Sequence, residues 1–254
     1  MSGLDDDLQH HLHLRRGDVG RYVLLPGDPG RCEPIARLFD EPRLVARNRE
    51  YETWTGTLDG EPVSVVSTGI GCPSASIAVE ELLKIGADTF IRVGTSGAIQ
   101  PDSFTGELAI ITAAIRDEGT TSHYLPMEFP AIANPQVTFA IADAARELGN
   151  PYRLGVSQSK DSFYGEVEPE RMPMAAQLQR RWDAWVAGGA ISSEMEAAAI
   201  FIIASIHRAR AGGIMRMHME GTEDTDPKME RLLGTAVGAL RNLIREDKAG
   251  GVWP

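Results

Sequence analysis

Short apolar runs closed by glycine- or proline-rich turns alternate with helical patterns almost from end to end of this chain, and that alternation constrains its fold more than any other feature. Tyr22–Leu25 is one such run, stopped by the turn Pro26-Gly27-Asp28-Pro29, and Arg31–Phe39 follows with the pattern of a short helix. Tyr51–Leu58 alternates, Asp59-Gly60 marks a hairpin, and Val63–Ser67 returns as a strand. Pro73–Ile85 lacks breakers and reads as a helix ended by Gly86. Beyond it the sequence predicts strands at Phe90–Val93, Leu108–Thr112, Arg153–Ser157 and Ile214–Met219. Helices are predicted at Val137–Leu148, Glu194–Ser205 and Lys228–Leu243. Strands interleaved with helices imply an α/β fold, a single-domain three-layer α/β/α sandwich around a central mixed β-sheet. No repeat, linker or composition break divides the chain. One domain over 1–254 is expected, with 1–10 and 248–254 frayed.

Composition narrows the function classes. With 25 Lys and Arg against 36 Asp and Glu, the formal net charge is −11, which argues against broad binding of nucleic acid or an anionic membrane. The two cysteines, Cys32 and Cys72, exclude a disulfide framework or zinc knuckle and suit a reducing cytosol. No apolar run approaches the ~18 residues of a membrane span. The first residues are acidic and then His-rich, without an apolar leader core, so the expected location is cytoplasmic.

Three segments combine glycine, charge and a strand end. Pro26-Gly27-Asp28-Pro29-Gly30-Arg31 offers close backbone approach and a guanidinium to an anion, although an ordinary βα turn with a surface arginine accounts for it as well. Ile91-Arg92-Val93-Gly94-Thr95-Ser96-Gly97 places an arginine inside an apolar strand, where it must meet either a buried carboxylate or a bound anion. Ser193-Glu194-Met195-Glu196 opens an apolar helix. Its glutamates either favour the helix dipole, with Ser193 as N-cap, or hold a hydroxylated ligand.

Together with Asn48-Arg49-Glu50-Tyr51 and Ser67-Thr68-Gly69-Ile70-Gly71, these segments stand in an order and spacing that resemble the nucleoside phosphorylases. Ser74–Leu82 and Met127-Glu128-Phe129-Pro130 are most similar to the uridine phosphorylase branch, and the resemblance runs from about His11 to Gly212. It implies phosphorolysis of a nucleoside, with inorganic phosphate as co-substrate and no cofactor required. The resemblance gives Gly27, Arg31, Arg92 and Thr95 as a phosphate cradle, joined by Arg49 from a neighbouring subunit. Met195 and Glu196 would hold the ribose, with His11 of the neighbour at the 5′-hydroxyl, and Phe163 would stack near the base. It also implies a homo-oligomer, a dimer or trimer of dimers, with Glu50, Ile70 and Ser74 as a candidate K+ site between subunits. No other metal is expected. His10, His11 and His13 read equally as a solvated patch, and Phe163 as plain core.

The match is weaker at the base. Uridine phosphorylases resemble one another in a Phe-Tyr-Pro-Gly-Gln-Glu-Arg segment, where this chain reads Phe163-Tyr164-Gly165-Glu166-Val167-Glu168-Pro169-Glu170-Arg171. A Gln amide satisfies the imide edge of uracil with a donor and an acceptor, and neither Val167 nor Pro169 does so. Arg171 remains as a base-binding candidate, displaced by two positions. His218 and Met219 stand where that branch is apolar, and His218 becomes a candidate proton donor to the leaving base, or a structural histidine. The expectation is a uridine phosphorylase-like enzyme with a remodelled base pocket that uses uridine poorly. A purine or modified-nucleoside phosphorylase, a nucleosidase, and a non-catalytic nucleoside- or sugar-binding protein stay open.

Overall fold

The computed structural model describes residues 7–219 and 227–251. Of the expected frayed ends, 1–10 and 248–254, residues 1–6 and 252–254 lie outside them. Ten strands form one sheet: β1 (Tyr22–Pro26), β2 (Asp40–Asn48), β3 (Tyr51–Leu58), β4 (Glu61–Val66), β5 (Thr89–Ala98), β6 (Leu108–Asp117), β7 (Ala131–Ile132), β8 (Tyr152–Lys160), β9 (Ser192–Glu194) and β10 (Arg210–His218). Among the described residues seven α-helices accompany them: α1 (Cys32–Ala36), α2 (Cys72–Lys84), α3 (Pro135–Glu147), α4 (Phe163–Val167), α5 (Ala175–Ala187), α6 (Ala197–Ile206) and α7 (Pro227–Lys248).

Period-two alternation sends neighbouring side chains of each central strand to opposite faces. Leu25, Phe90 and Met215 pack with α2 and α6 on one side. Leu24, Ile91 and Ile214 pack with α1, α3 and α7 on the other. Helices therefore cover both faces of a mixed sheet, as the interleaved pattern implies.

Pairing along β5 positions the site. One edge of β5 runs parallel to β10 from Arg210 opposite Thr89 to His218 opposite Gly97. Its other edge pairs with β1 only as far as Pro26 opposite Val93, and β9 takes over at Ser193 opposite Gly97. Because β10 continues through β6 and β8 to β9, and β9 returns to β5, half of the sheet closes on itself. The other half, β1-β4-β3-β2, extends as an open wing.

The predicted elements are present, with most strands longer and several boundaries shifted: the helix expected over Arg31–Phe39 is the shorter α1, and the last helix runs past Leu243 to Lys248. The helix expected from Glu194 begins at Ala197, because Ser192–Glu194 is strand β9. Ser193 is accordingly not its N-cap.

Candidate active site

Gly94–Ser96 occupy the gap where β1 has left β5 and β9 has not yet joined it. The turn after β1 and the start of α6 meet there, at the strand-end crevice where α/β sheets bind ligands. A cleft of about 1220 Å³ opens at this point.

Arg92 is its central cation. Only 4% of it is exposed, its Nη2 donates to Glu196, and its Nε lies 3.6 Å from Glu194 Oε2. Nε and Nη1 have no hydrogen-bond partner among the described residues. Two glycines make room for this guanidinium. A Cβ on Gly94 would stand 3.0 Å from Arg92 Cζ and 2.7 Å from Met215 Sδ, and one on Gly27 would stand 3.4 Å from Arg92 Nη1. Both readings of Arg92 are thus realised: it is paired with a buried carboxylate, and it faces a ligand-sized cleft.

Glu196 is oriented from two sides, by Arg92 and by the Gly71 N–H at 2.7 Å from Oε1. Glu194 instead accepts the N–H groups of Glu196 and Ala197, each at 2.8 Å, and the Ser159 hydroxyl. The helix-start explanation therefore holds for Glu194, and the cleft-facing carboxylate is Glu196. Burial raises the Glu194 carboxyl above its usual range and Glu196 adds to the rise, against the pull of Arg92.

Arg31 lines the same cleft. Burial lowers its guanidinium below the ordinary value, and the positive charges of Arg92 and Arg216 lower it further. Arg216 is 1% exposed and sits beside Thr95 in the β10–β5 register. It is absent from the sequence-based anion candidates, although the signal that singles out Arg92, an arginine inside an apolar strand, applies to it equally.

Phe163, Val167, His218 and Met195 also line the cleft wall. His218 Nδ1 is buried without a partner among the described residues. Two residues that the sequence does not single out occur here. Lys160 Nζ donates to Glu166 Oε1 at 2.8 Å and to Ser193 Oγ at 2.6 Å, and Ser193 Oγ lies 2.7 Å from Glu166 Oε2.

Four candidates are not brought to the cleft of their own chain. Arg49 shares with Glu50 the two-residue turn joining β2 to β3, at φ 54, and lies off the wall. His11 is held elsewhere by Glu81, with Nδ1 2.7 Å from Oε1 and its backbone N–H also donating to the carboxylate. Asn48 Nδ2 donates to the His11 carbonyl at 2.7 Å, which ties the His11 backbone to the residue before Arg49. Arg171 ends the exposed turn Pro169–Arg171 and pairs with Glu168 three residues earlier, which turns it to solvent. Met219 follows β10, where its N–H donates to Thr105 Oγ1 at 2.9 Å.

Glu50, Ile70 and Ser74 meet at the cleft edge, where Ser74 Oγ donates to Glu50 Oε1 at 2.8 Å. Gly69 is required between them, since a Cβ there would stand 2.6 Å from Glu50 Cγ. One carboxylate and a hydroxyl, with a main-chain carbonyl nearby, fit a monovalent cation in charge and hardness. No cluster of three or more His, Cys, Asp or Glu suited to a metal occurs among the described residues. No helix among them is long and apolar enough to cross a membrane.

Comparison with known proteins agrees with this geometry. Residues 21–245 match the Phosphorylase superfamily. The uridine phosphorylase of Treponema pallidum (strain Nichols) is 47% identical over 248 residues, 95% of this chain and 96% of that protein. The uridine phosphorylase of Escherichia coli (strain K12) is 38% identical over 92% of this chain and 94% of its own length. The guanosine phosphorylase of Halorubrum lacusprofundi is 36% identical, again over 92% of this chain, and 95% of its own. With a nearly full-length match and a strand-end cleft rich in buried arginine, the chain belongs to the nucleoside phosphorylases of the Phosphorylase superfamily.

Proposed function

We propose that this cleft binds phosphate at its arginine end, ribose at Glu196 and the base beside Phe163, and converts a nucleoside into a pentose 1-phosphate and a free base. A phosphate oxygen attacks the anomeric carbon, the bond from that carbon to the base nitrogen breaks, and its electron pair leaves with the base, which takes up a proton. Arg31, Arg92 and Thr95, with the Gly27 backbone, hold the dianion, and Arg216 adds to the positive field. The sugar becomes oxocarbenium-like as the bond lengthens. Glu196 holds the ribose hydroxyls, Met195 packs on the sugar, and His218 donates the proton to the leaving base.

Arg49 and His11 complete the site from a second copy of the chain. The edge formed by Glu50, Ile70 and Ser74 belongs to that contact and takes K+. Although the altered base segment leads the sequence to predict poor use of uridine, uridine is the first candidate substrate, since the relatives from Treponema and Escherichia coli are uridine phosphorylases. A purine nucleoside is the second, favoured by the Halorubrum guanosine phosphorylase.

The observation that carries this reading is the guanidinium cluster. Arg31, Arg92 and Arg216 converge on one cleft wall, and a bound dianion offsets the charge that burial first, and mutual repulsion second, disfavour at Arg31; a hydrolase has no use for such a site. The test is cleavage with and without phosphate. Phosphate-dependent release of pentose 1-phosphate supports the reading. Equal rates in both conditions, with free pentose as the product, overturn it.

A further inference from the structure

The base end of the cleft holds an ion pair that no step above uses. Lys160 ends β8 and is 6% exposed, and Glu166 lies on α4; both are on the cleft wall. A buried ammonium is costly unless paired, and Glu166 and Ser193 take two of its three N–H groups. The third N–H has no acceptor among the described residues. Each oxygen of Glu166 accepts one of these bonds and keeps a lone pair for another. Lys160 Nζ lies over the Phe163 ring, 5.9 Å from its centre, so a base held beside that ring comes within reach of the pair. Gly97 leaves the approach open: a Cβ there would stand 4.0 Å from Glu166 Oε1.

The wall therefore presents one donor next to an acceptor. The geometry points to Lys160 and Glu166 as the base-reading residues, selecting nucleosides whose base carries a ring N–H beside a ring carbonyl. Uracil and the 6-oxopurines have that edge. Cytosine and adenine carry a bare ring nitrogen beside an amino group, which sets a lone pair against the carboxylate and N–H groups against the ammonium. Such a mismatch leaves buried polar groups unpaired and is rejected strongly. The complement that a Gln amide supplies in the resembling segment here comes from two side chains on different elements. The inference rests on the phosphorolysis reading only for the identity of the ligand as a nucleoside base.

The test compares partners of equal ring size, uridine with cytidine and inosine with adenosine, by kcat/KM with phosphate. Calorimetry of uracil, cytosine, hypoxanthine and adenine on the same protein runs in parallel. In whichever ring class is used, the oxo base is expected to be favoured by about 10²-fold or more. Glu166→Gln, whose amide can turn either way, should collapse that ratio toward one, and Lys160→Met should lower it. The KM for phosphate, read at the other end of the cleft, reports that both variants remain folded. Equal use of oxo and amino bases by the wild type overturns the inference, as does an unchanged ratio in folded Glu166→Gln. Phosphate-independent release of free pentose would instead remove the phosphorolysis reading and leave the base ratios to be judged as before. If no nucleoside turns over, the calorimetric ratios decide.

Discussion

Arg92 and Arg31 face the same cleft under different constraints, and their variants should differ accordingly. Among the described residues Arg31 pairs with no carboxylate as Arg92 does with Glu196, and its lowered guanidinium is a consequence of burial and of like charge. Arg31→Ala removes one charge-assisted bond to phosphate, on the order of 1.5–3 kcal/mol, and should raise the KM for phosphate by one to two powers of ten. Arg92→Ala should cost that much in phosphate use and stability as well, since it strips Glu196 of its buried partner. Phosphate titration and thermal melts on both variants separate the two effects. His218→Ala should lower kcat by roughly 10²–10⁴ if the imidazole protonates the base. A variant that loses melting temperature but keeps kcat assigns His218 to structure. Arg92 is legible in the sequence because a charge inside an apolar strand demands an explanation. Lys160 is not, since β8 ends in the consecutive buried polar run Ser157–Lys160, which carries no apolar signal of its burial. Glu166 is obscured because its segment differs in length from the one it resembles, and its partners Lys160 and Ser193 come from other elements.

Among the elements, α7 is tied to the sheet by a polar clasp at its far end. Asp247 accepts from Tyr22 Oη at 2.6 Å and from both terminal nitrogens of Arg210, at 2.9 and 2.7 Å. Burial alone would raise the Asp247 carboxyl, but the bonds from Arg210 and Tyr22 outweigh it and hold it below the ordinary value. Tyr22, in turn, is pushed up to about 12, by burial first and then by its bond to Asp247, and stays a donor at neutral pH. A folded-state value below the unfolded one means that the clasp stabilises fully above the usual aspartate range, near ~3.9. Its contribution fades as pH falls through that value toward the lower folded one. Asp247→Asn should therefore cost on the order of 2 kcal/mol at pH 7 and flatten the fall in melting temperature below about pH 4. Melts of both proteins across that interval check the sign. Elements with a buried face, such as α2 and α3, are legible from their apolar spacing. Edge strand β2 is exposed over much of its length and shows no apolar period, whereas α5 does set Leu178, Trp182 and Trp185 on one face, a helical signal that the sequence reading passes over. Helix α6 is buried almost all round, which hides its start, and the closure of β9 onto β5 depends on pairing between distant segments.

At the scale of the whole molecule, the two candidates expected from a neighbour are the ones that stand apart from the cleft of their own chain. The His11 backbone is tied to Asn48, the residue before Arg49, while Glu196, Arg31 and Arg92 converge at the end of β5. A single copy thus displays half of the expected constellation on one surface and half in the cleft. Ile70, 78% exposed at the cleft edge, is a side chain that a second copy would cover. A two-fold dimer supplies each missing half to the other copy, because an isologous contact offers the same two surfaces in both directions. Light scattering should therefore find at least a dimer in every active preparation, and an active species with the mass of one chain would refute the arrangement. Complementation tests it more sharply. Arg49→Ala and Glu196→Ala should each be nearly inactive alone. In a dimer of one copy of each, the cleft of the Arg49→Ala chain keeps its own Glu196 and receives an intact Arg49, while the other cleft lacks both. Random exchange at equal amounts makes half of the dimers mixed, so about a quarter of all sites should regain wild-type composition. Recovery near that fraction after co-refolding places Arg49 in a neighbour's cleft. No recovery, with mixed dimers shown to form, returns Arg49 to its own chain and removes the shared site.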